Sequence, residues 1–280
     1  MREIKASDIT SVVRNLCIES NIKLPDDIKH ALQKSYRTET SPIAKYVIKQ
    51  IIKNYEIAEK KQIPICQDTG IAVVFIELGQ DVHITDGDLY TAINDGVRFG
   101  YKDGYLRKSV VSDPFTRNNT FDNTPAMIHT EIVPGNKLKI TVLPKGAGAE
   151  NMSVLKMLNP STEIDDIKKI VIETVINAGA NACPPVIVGI GLGGTFDTVT
   201  LLAKKSLLRQ IGSYNRDPFY TELEKELLTE INKLGIGPQG FGGKTTALAV
   251  FIEQYPCHIA SLPIAVNLQC HACRHTSCII

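Results

Sequence analysis

The stretch Ile71-Ala72-Val73-Val74-Phe75-Ile76-Glu77-Leu78 constrains the fold more than any other part of the chain. It is short, apolar and rich in branched side chains, so it reads as a buried strand. A second such run, Val186-Ile187-Val188-Gly189-Ile190, leads into Gly191-Leu192-Gly193-Gly194. Helical periodicity surrounds both. Ile9, Val12, Val13 and Leu16, then Ile43, Val47, Ile48, Ile51 and Ile52, recur at helical spacings and, with breaks at Pro25 and at 38–41, predict three helices before residue 62. Asp8, Asp26 and Ser41 are the candidate caps. Further helices are expected over 88–99, 164–178, 195–208 and 220–234. The runs 127–133 and 138–143 flank the turn cluster Pro134-Gly135-Asn136-Lys137 and predict a hairpin, and a last pair of strands is expected over 246–252 and 259–266. No internal repeat or low-complexity linker divides the chain. The expectation is therefore an α/β fold: one domain over 1–280, a mixed sheet with helices packed around it, and a helical N-terminal layer over 1–62.

Composition narrows the function. Hydrophobic residues make up 43% and charged residues 22% of 280, which excludes disorder, and Lys+Arg 31 against Asp+Glu 30 leaves a formal charge of +1. No global field draws such a chain to nucleic acid or an anionic membrane, so local charges must hold any anionic substrate. The start lacks the apolar core of a signal peptide and no long unbroken apolar run follows, so the expected location is cytoplasmic. In a reducing compartment, seven cysteines are more readily core residues or metal ligands than disulfide partners.

Two glycine-rich signals invite a nucleotide reading. Gly189-Ile190-Gly191-Leu192-Gly193-Gly194 satisfies G-x-G-x-x-G between a strand and a helix, but Arg209 and Gln210 stand where an acid should hold a ribose. A tight strand-to-helix turn is the simpler reading. Gly243-Lys244-Thr245 resembles the end of a P-loop, yet Pro238 replaces the required glycine and a strand follows instead of a helix. Lys244 is expected to have a structural or local electrostatic role.

The cysteines differ in context. Cys17 lies in a helical apolar pattern and reads as core. Cys66 and Cys183 each stand just ahead of a predicted strand, and Cys270 follows the last one, so the three are placed to converge on a sheet edge as iron–sulfur ligands. Cys270-x-x-Cys273, with His271, His275 and Cys278 nearby, offers a rival local zinc site, though no second C-x-x-C occurs. Spacing leaves iron–sulfur and zinc both open.

Six ordered motifs then carry a resemblance: Cys66-Gln67-Asp68-Thr69-Gly70, Leu106-Arg107-Lys108-Ser109-Val110, Asp122-Asn123-Thr124-Pro125-Ala126, Gly146-Ala147-Gly148-Ala149-Glu150-Asn151, Cys183-Pro184-Pro185 and Asn267-Leu268-Gln269-Cys270-His271-Ala272. From about residue 40 to its end the chain resembles the α subunit, or N-terminal domain, of the class I iron–sulfur hydro-lyases, which include fumarate hydratase and L-tartrate dehydratase. The resemblance implies a 4Fe-4S cluster on Cys66, Cys183 and Cys270, with one iron open to act as a Lewis acid on a substrate hydroxyl. It further implies that Arg107 and His258 bind the substrate carboxylates, assisted by Gln67 and the amides around Gly146 and Gly148, and that Asp68 serves proton transfer. The implied reaction adds or removes water at a C4 dicarboxylate, fumarate/malate first and L-tartrate as the alternative; fumarate would make it a tricarboxylic acid cycle step. A non-enzymatic iron–sulfur or zinc-binding assembly protein is the rival reading. Single-chain relatives continue into a second domain that carries further arginines, a lysine and a proton-transferring threonine. A β subunit is therefore expected as partner, within an α2β2 assembly, with no nucleic acid or membrane partner. Two departures stand out: Cys273 where the family often has alanine, and Phe121 where it often has glycine.

Overall fold

The structure is a computed structural model that describes residues 1–280. Its elements run β1 (Arg2–Lys5), α1 (Ala6–Ile22), α2 (Asp26–Thr38), α3 (Pro42–Lys61), β2 (Ile71–Gly79), β3 (Val82–Thr85), α4 (Leu89–Asp103), β4 (Met127–Val133) and β5 (Leu138–Lys145). They continue with α5 (Ala147–Glu150), β6 (Val154–Leu158), α6 (Ile164–Ala178), β7 (Val186–Gly193), α7 (Phe196–Ser206), α8 (Pro218–Lys233), β8 (Ala247–Tyr255), β9 (Leu262–Gln269) and β10 (Thr276–Ile279). The α/β class and the helical N-terminal region match the expectation. Ser41 caps α3 by accepting from the Ala44 N–H, whereas Asp8 and Asp26 lie inside the first turns of their helices. The chain packs as two compact units: Met1–Pro25, Asn54–Gly146 and Arg274–Ile280 form the first, and Asp26–Lys53 with Ala147–Cys273 the second. The N-terminal helices are thus divided, α1 belonging to the first unit and α2 to the second.

In the first unit a four-stranded sheet has the order β10-β5-β2-β4. β2 is central: it runs parallel to β4, with Val73 opposite Met127, and antiparallel to β5, with Ile71 opposite Lys145. The hairpin expected over 127–143 is therefore absent, because β2 lies between its two strands. Burial explains the choice. Ala72 to Ile76 are all buried, and such a strand needs neighbours on both edges, whereas β4 is largely exposed and suits an edge. Helices α1 and α4 pack on each other, and α1 also packs on β5. Cys17 is fully buried between them, and burial pushes its thiol up to about 12, which leaves it an inert core residue. β1 and β3 form a separate parallel pair.

The second unit repeats the pattern with other residues. Its sheet order is β6-β9-β7-β8, with β7 parallel to β8 and antiparallel to β9. The last two predicted strands are again not neighbours, since β7 separates them. Alternation sorts the faces: Val186, Val188, Ile190 and Leu192 pack with residues of α6 and α8, while the intervening positions face α7. Those positions include Gly189 and Gly191, where an added Cβ would lie 2.4 Å from the Ala203 carbonyl oxygen and 2.1 Å from that of Val199. The glycine-rich motif thus lies inside the strand and lets α7 approach its backbone; it is not a phosphate-binding loop, and the strand extends farther than the sequence predicted.

Candidate active site

Four of the six motifs meet around one loop of the first unit. Between α3 and β2 the chain passes through Cys66-Gln67-Asp68-Thr69-Gly70, where Cys66 and Gln67 are exposed and Thr69 and Gly70 are buried. The Asp68 side chain accepts the Gly70 N–H at 2.9 Å, a local turn that bends the loop toward β2. Buried Tyr101 of α4 directs its hydroxyl at the carbonyls of Thr69, 2.8 Å away, and Gly70, 3.0 Å away. Thr69 Oγ1 donates to the Arg107 carbonyl at 3.0 Å, which joins the second motif to the first. Asn123, fully buried, joins the third: its amide donates to the Gly70 carbonyl at 3.2 Å and its oxygen accepts the Ser109 N–H at 2.7 Å. The fourth arrives at Gly146, where an added Cβ would stand 3.1 Å from Asp68 Oδ2. Arg107 itself is exposed, free of the burial cost that would oppose a charged group waiting for an anion.

Asp122 secures the outer side of this arrangement. Burial works against its charge, but the Thr124 N–H and hydroxyl and the Arg98 guanidinium, 3.0 Å away, together hold its carboxyl below the usual carboxylate range. Phe121 beside it has φ 64°, the left-handed region that favours glycine, and is largely exposed.

In the second unit the register brings two predicted ligands to one end of the sheet. Ile187 of β7 lies opposite Gln269 of β9, so Cys183, three residues before β7, and Cys270, one residue after β9, emerge side by side. His271 locks them together. Its backbone N–H donates to the Cys183 carbonyl at 3.3 Å, and its ring Nδ1 lies 3.0 Å from the same oxygen and 3.1 Å from the Gln239 amide. Gln239 in turn donates to the Pro184 carbonyl through its backbone at 2.7 Å and its side chain at 2.9 Å. Cys183 is held in the left-handed conformation (φ 53°, ψ 62°), a backbone state that an L-residue adopts only when its surroundings enforce it. Gly148 is exposed near the same end, where an added Cβ would sit 3.1 Å from the Asn181 carbonyl. Glu150 of the same motif pairs with Lys204 and accepts from the Asn267 amide at 2.8 Å.

His258 lies elsewhere. It occupies the exposed connection between β8 and β9, at the end of the sheet opposite Cys183 and Cys270, where its ring accepts the Ala260 N–H at 3.1 Å. Eight strand residues separate the two ends, about 26 Å at strand rise. Within this unit His258 does not meet the cysteine pair. Of the residues that hold the loops in place, Tyr101, Asn123 and Gln239 were not singled out from the sequence, and His271 was read only as a candidate zinc ligand. Asn123 and His271 sit inside quoted motifs, but Tyr101 looks like one more apolar position of a helix, and Gln239 carries no local signal.

The cysteines differ in accessibility. None of the seven cysteines is in a disulfide. Cys66, Cys183 and Cys270 are all at least partly exposed at strand ends, as thiolate ligands to an added group must be, whereas Cys17 and Cys273 are sealed in the core. The Cys273 thiol points at the Leu207 carbonyl, 3.9 Å away. No three Cys, His, Asp or Glu side chains form a ready-made metal cage, around Cys270 or elsewhere. One exposed and two partly exposed thiols fit an iron–sulfur group by donor type and accessibility.

Comparison with known proteins agrees with the motifs. A family model described as fumarate hydratase (fumerase) matches residues 10–279. A putative L(+)-tartrate dehydratase subunit alpha from Methanocaldococcus jannaschii is 47% identical over 272 residues, covering 95% of each chain. The L(+)-tartrate dehydratase subunit alpha of Escherichia coli strain K12 is 31% identical over 276 residues, 97% of this chain and 90% of its own. No helix is long and apolar enough to cross a membrane.

Proposed function

Because the chain belongs to the fumarate hydratase (fumerase) family, we propose that residues 1–280 act as one domain, the α subunit of a two-subunit hydro-lyase that adds or removes water at a C4 dicarboxylate. The observation that carries this reading is the convergence of Cys66–Gly70, Arg107–Ser109, Asn123 and Gly146 on one loop. An exposed arginine, an exposed amide and a carboxylate then share a single rigid support. Cys66, Cys183 and Cys270 would hold a 4Fe-4S cluster, which supplies a Lewis acid for the departing hydroxyl when bound. The chain's own side chains do the rest. Arg107 pairs with a substrate carboxylate and Gln67 donates to it, while the backbone N–H groups around Gly146 and Gly148 orient the second carboxylate. Asp68, its carboxylate oriented by the Gly70 N–H, holds or passes the proton.

His258 binds carboxylate in this scheme from another polypeptide. A side chain about 26 Å along the sheet from Cys183 and Cys270 reaches a substrate only where a second copy brings its β8–β9 connection to the first copy's loop. A two-fold α2β2 assembly with the remaining arginines, lysine and proton-transferring threonine on β satisfies this requirement. The relatives' designation as alpha subunits supports the partner. Their names also favour L-tartrate over fumarate or malate as substrate.

Anaerobic reconstitution with iron and sulfide tests the cluster. A visible-range chromophore is expected in the wild type and in Cys17→Ser, and is expected to vanish in Cys66→Ser, Cys183→Ser and Cys270→Ser; a chain that takes up only zinc would overturn the assignment. Turnover of L-tartrate, malate and fumarate by the reconstituted chain, with and without its β partner, tests the rest. Appreciable turnover by the isolated chain would remove the need for a shared site.

A further inference from the structure

Arg274 is 3% exposed, yet only one of its donors is used. Nη2 donates to the Asp68 carbonyl at 2.6 Å, while Nε and Nη1 are buried with no acceptor, and the guanidinium forms no ion pair. Native proteins rarely tolerate this: a buried unpaired cation is among the most destabilising features a core can carry. A neutral donor would tie down the same carbonyl without that cost. What the position supplies beyond the hydrogen bond is the charge. The charge belongs to the same unit as the Cys66–Gly70 loop and attaches to the peptide of Asp68, next to exposed Gln67. Tyr101, the other side chain pinning this loop, brings a neutral hydroxyl, and the Asp68 carboxylate, which acts on that same hydroxyl, accepts the Gly70 N–H and forms no ion pair with the guanidinium. In a poorly polarisable interior such a charge acts over a longer distance than it would in water.

We propose that Arg274 is an electrostatic positioning residue of the dicarboxylate site: it fixes the Asp68 peptide and holds a buried positive charge, engaged in no ion pair, behind the Gln67–Asp68 loop, strengthening the binding of a dianion there. The identity of that dianion rests on the hydro-lyase reading; the orphaned charge does not. Arg107 provides the exposed, contacting cation, and Arg274 adds field without contact. The loop thereby gains positive field without a second contacting cation.

The test uses the reconstituted chain together with its β partner, and succinate, an unreactive dicarboxylate, with sodium chloride at matched ionic strength as the control. Thermal melting and succinate titration are measured for the wild type, Arg274→Met, Arg274→Lys and Arg274→Gln. Without ligand, Arg274→Met is expected to melt at or above the wild-type temperature, because an unpaired buried charge has been removed. Its succinate affinity is expected to fall about tenfold, the scale of one charge-assisted interaction, with Arg274→Lys retaining most of the binding and Arg274→Gln little. Equal succinate affinity in wild type and Arg274→Met overturns the proposal, as does a wild type that succinate does not stabilise. A lower melting temperature in every variant, with binding lost equally in Arg274→Lys and Arg274→Gln, reassigns the residue to a structural role. The chromophore is read in the same samples. Charge-dependent succinate binding without a chromophore sinks the iron–sulfur reading alone, and a normal chromophore with unaltered binding sinks this inference alone.

Discussion

The two four-stranded sheets solve one problem in two ways. Each has a central strand, β2 or β7, that runs parallel to one neighbour and antiparallel to the other, and each carries a final antiparallel edge strand, β10 or β6. In both, a motif cysteine stands just before the central strand, and another motif follows the antiparallel neighbour: Cys66 with Gly146 in one sheet, Cys183 with Cys270 in the other. No sequence repeat announces this shared plan. The difference lies in how the central strand is covered. β2 fills both faces with side chains, Val73, Val74, Phe75 and Ile76 all being buried. β7 fills one face with side chains and offers backbone to α7 on the other. One topology thus tolerates either knobs of side chain or close backbone contact, and the two should respond oppositely to added volume.

The sharpest way to break that comparison is Gly191→Val. Its Cβ would enter space held by the Val199 carbonyl, so the second unit is expected to lose about 3 kcal/mol or more, read by urea unfolding; a tolerated valine would mean that α7 does not depend on backbone approach. The opposite change in the first sheet, Ile76→Ala, should cost about 3 kcal/mol through a cavity rather than a clash. Asn123→Ala comes next. It strands the Ser109 N–H and removes one partner of the Gly70 carbonyl in a buried setting, which should destabilise the first unit by about 2 kcal/mol and loosen the Arg107 loop. Proteolysis at 105–120 would report that loosening, and unchanged protection would contradict the pinning role.

The second unit also has an acidic latch. Burial opposes the charge of Glu39, but the backbone N–H groups of Ser41, Lys244 and Thr40 outweigh it and hold the carboxyl below its ordinary value. A carboxylate depressed in the folded state stabilises above its unfolded value, about 4.3, and that contribution disappears as pH falls through the lower folded value. Wild type should therefore lose stability below about pH 4 in a component that Glu39→Gln abolishes, the variant being weaker at neutral pH. Equal acid sensitivity in both chains would exclude the latch. This also accounts for Lys244, whose backbone N–H, rather than any phosphate chemistry, joins the latch. Smallest of all is Phe121→Gly in the first unit, expected to add up to about 1 kcal/mol by relieving a left-handed backbone; a loss of stability instead would show that the exposed ring packs usefully.

Much of this was legible before folding. The helices over 164–178 and 220–234 and the strand from Ile71 matched closely, since periodicity and branched runs are properties of a few adjacent residues. The hairpin at 127–143 misled because adjacency in sequence usually means adjacency in a sheet, and here the more apolar β2 won the place between its strands. β1, β3, β6 and β10 are four or five residues long and went unrecognised. The motif loops were visible as residue types, but Tyr101 and Gln239 were not, because their partners lie far along the chain.

By itself, then, the sequence determined the element types, the inert core status of Cys17 and the residue chemistry of the motifs, all of which depend on local pattern or on composition. Only the tertiary structure decided that β2 and β7 are central, that Cys183 and Cys270 emerge together while His258 emerges at the far end, and that Arg274 is buried without an ion pair. Strands compete for neighbours across the whole chain, a shift of one residue in register reverses a face, and a charge is unpaired only relative to everything packed around it.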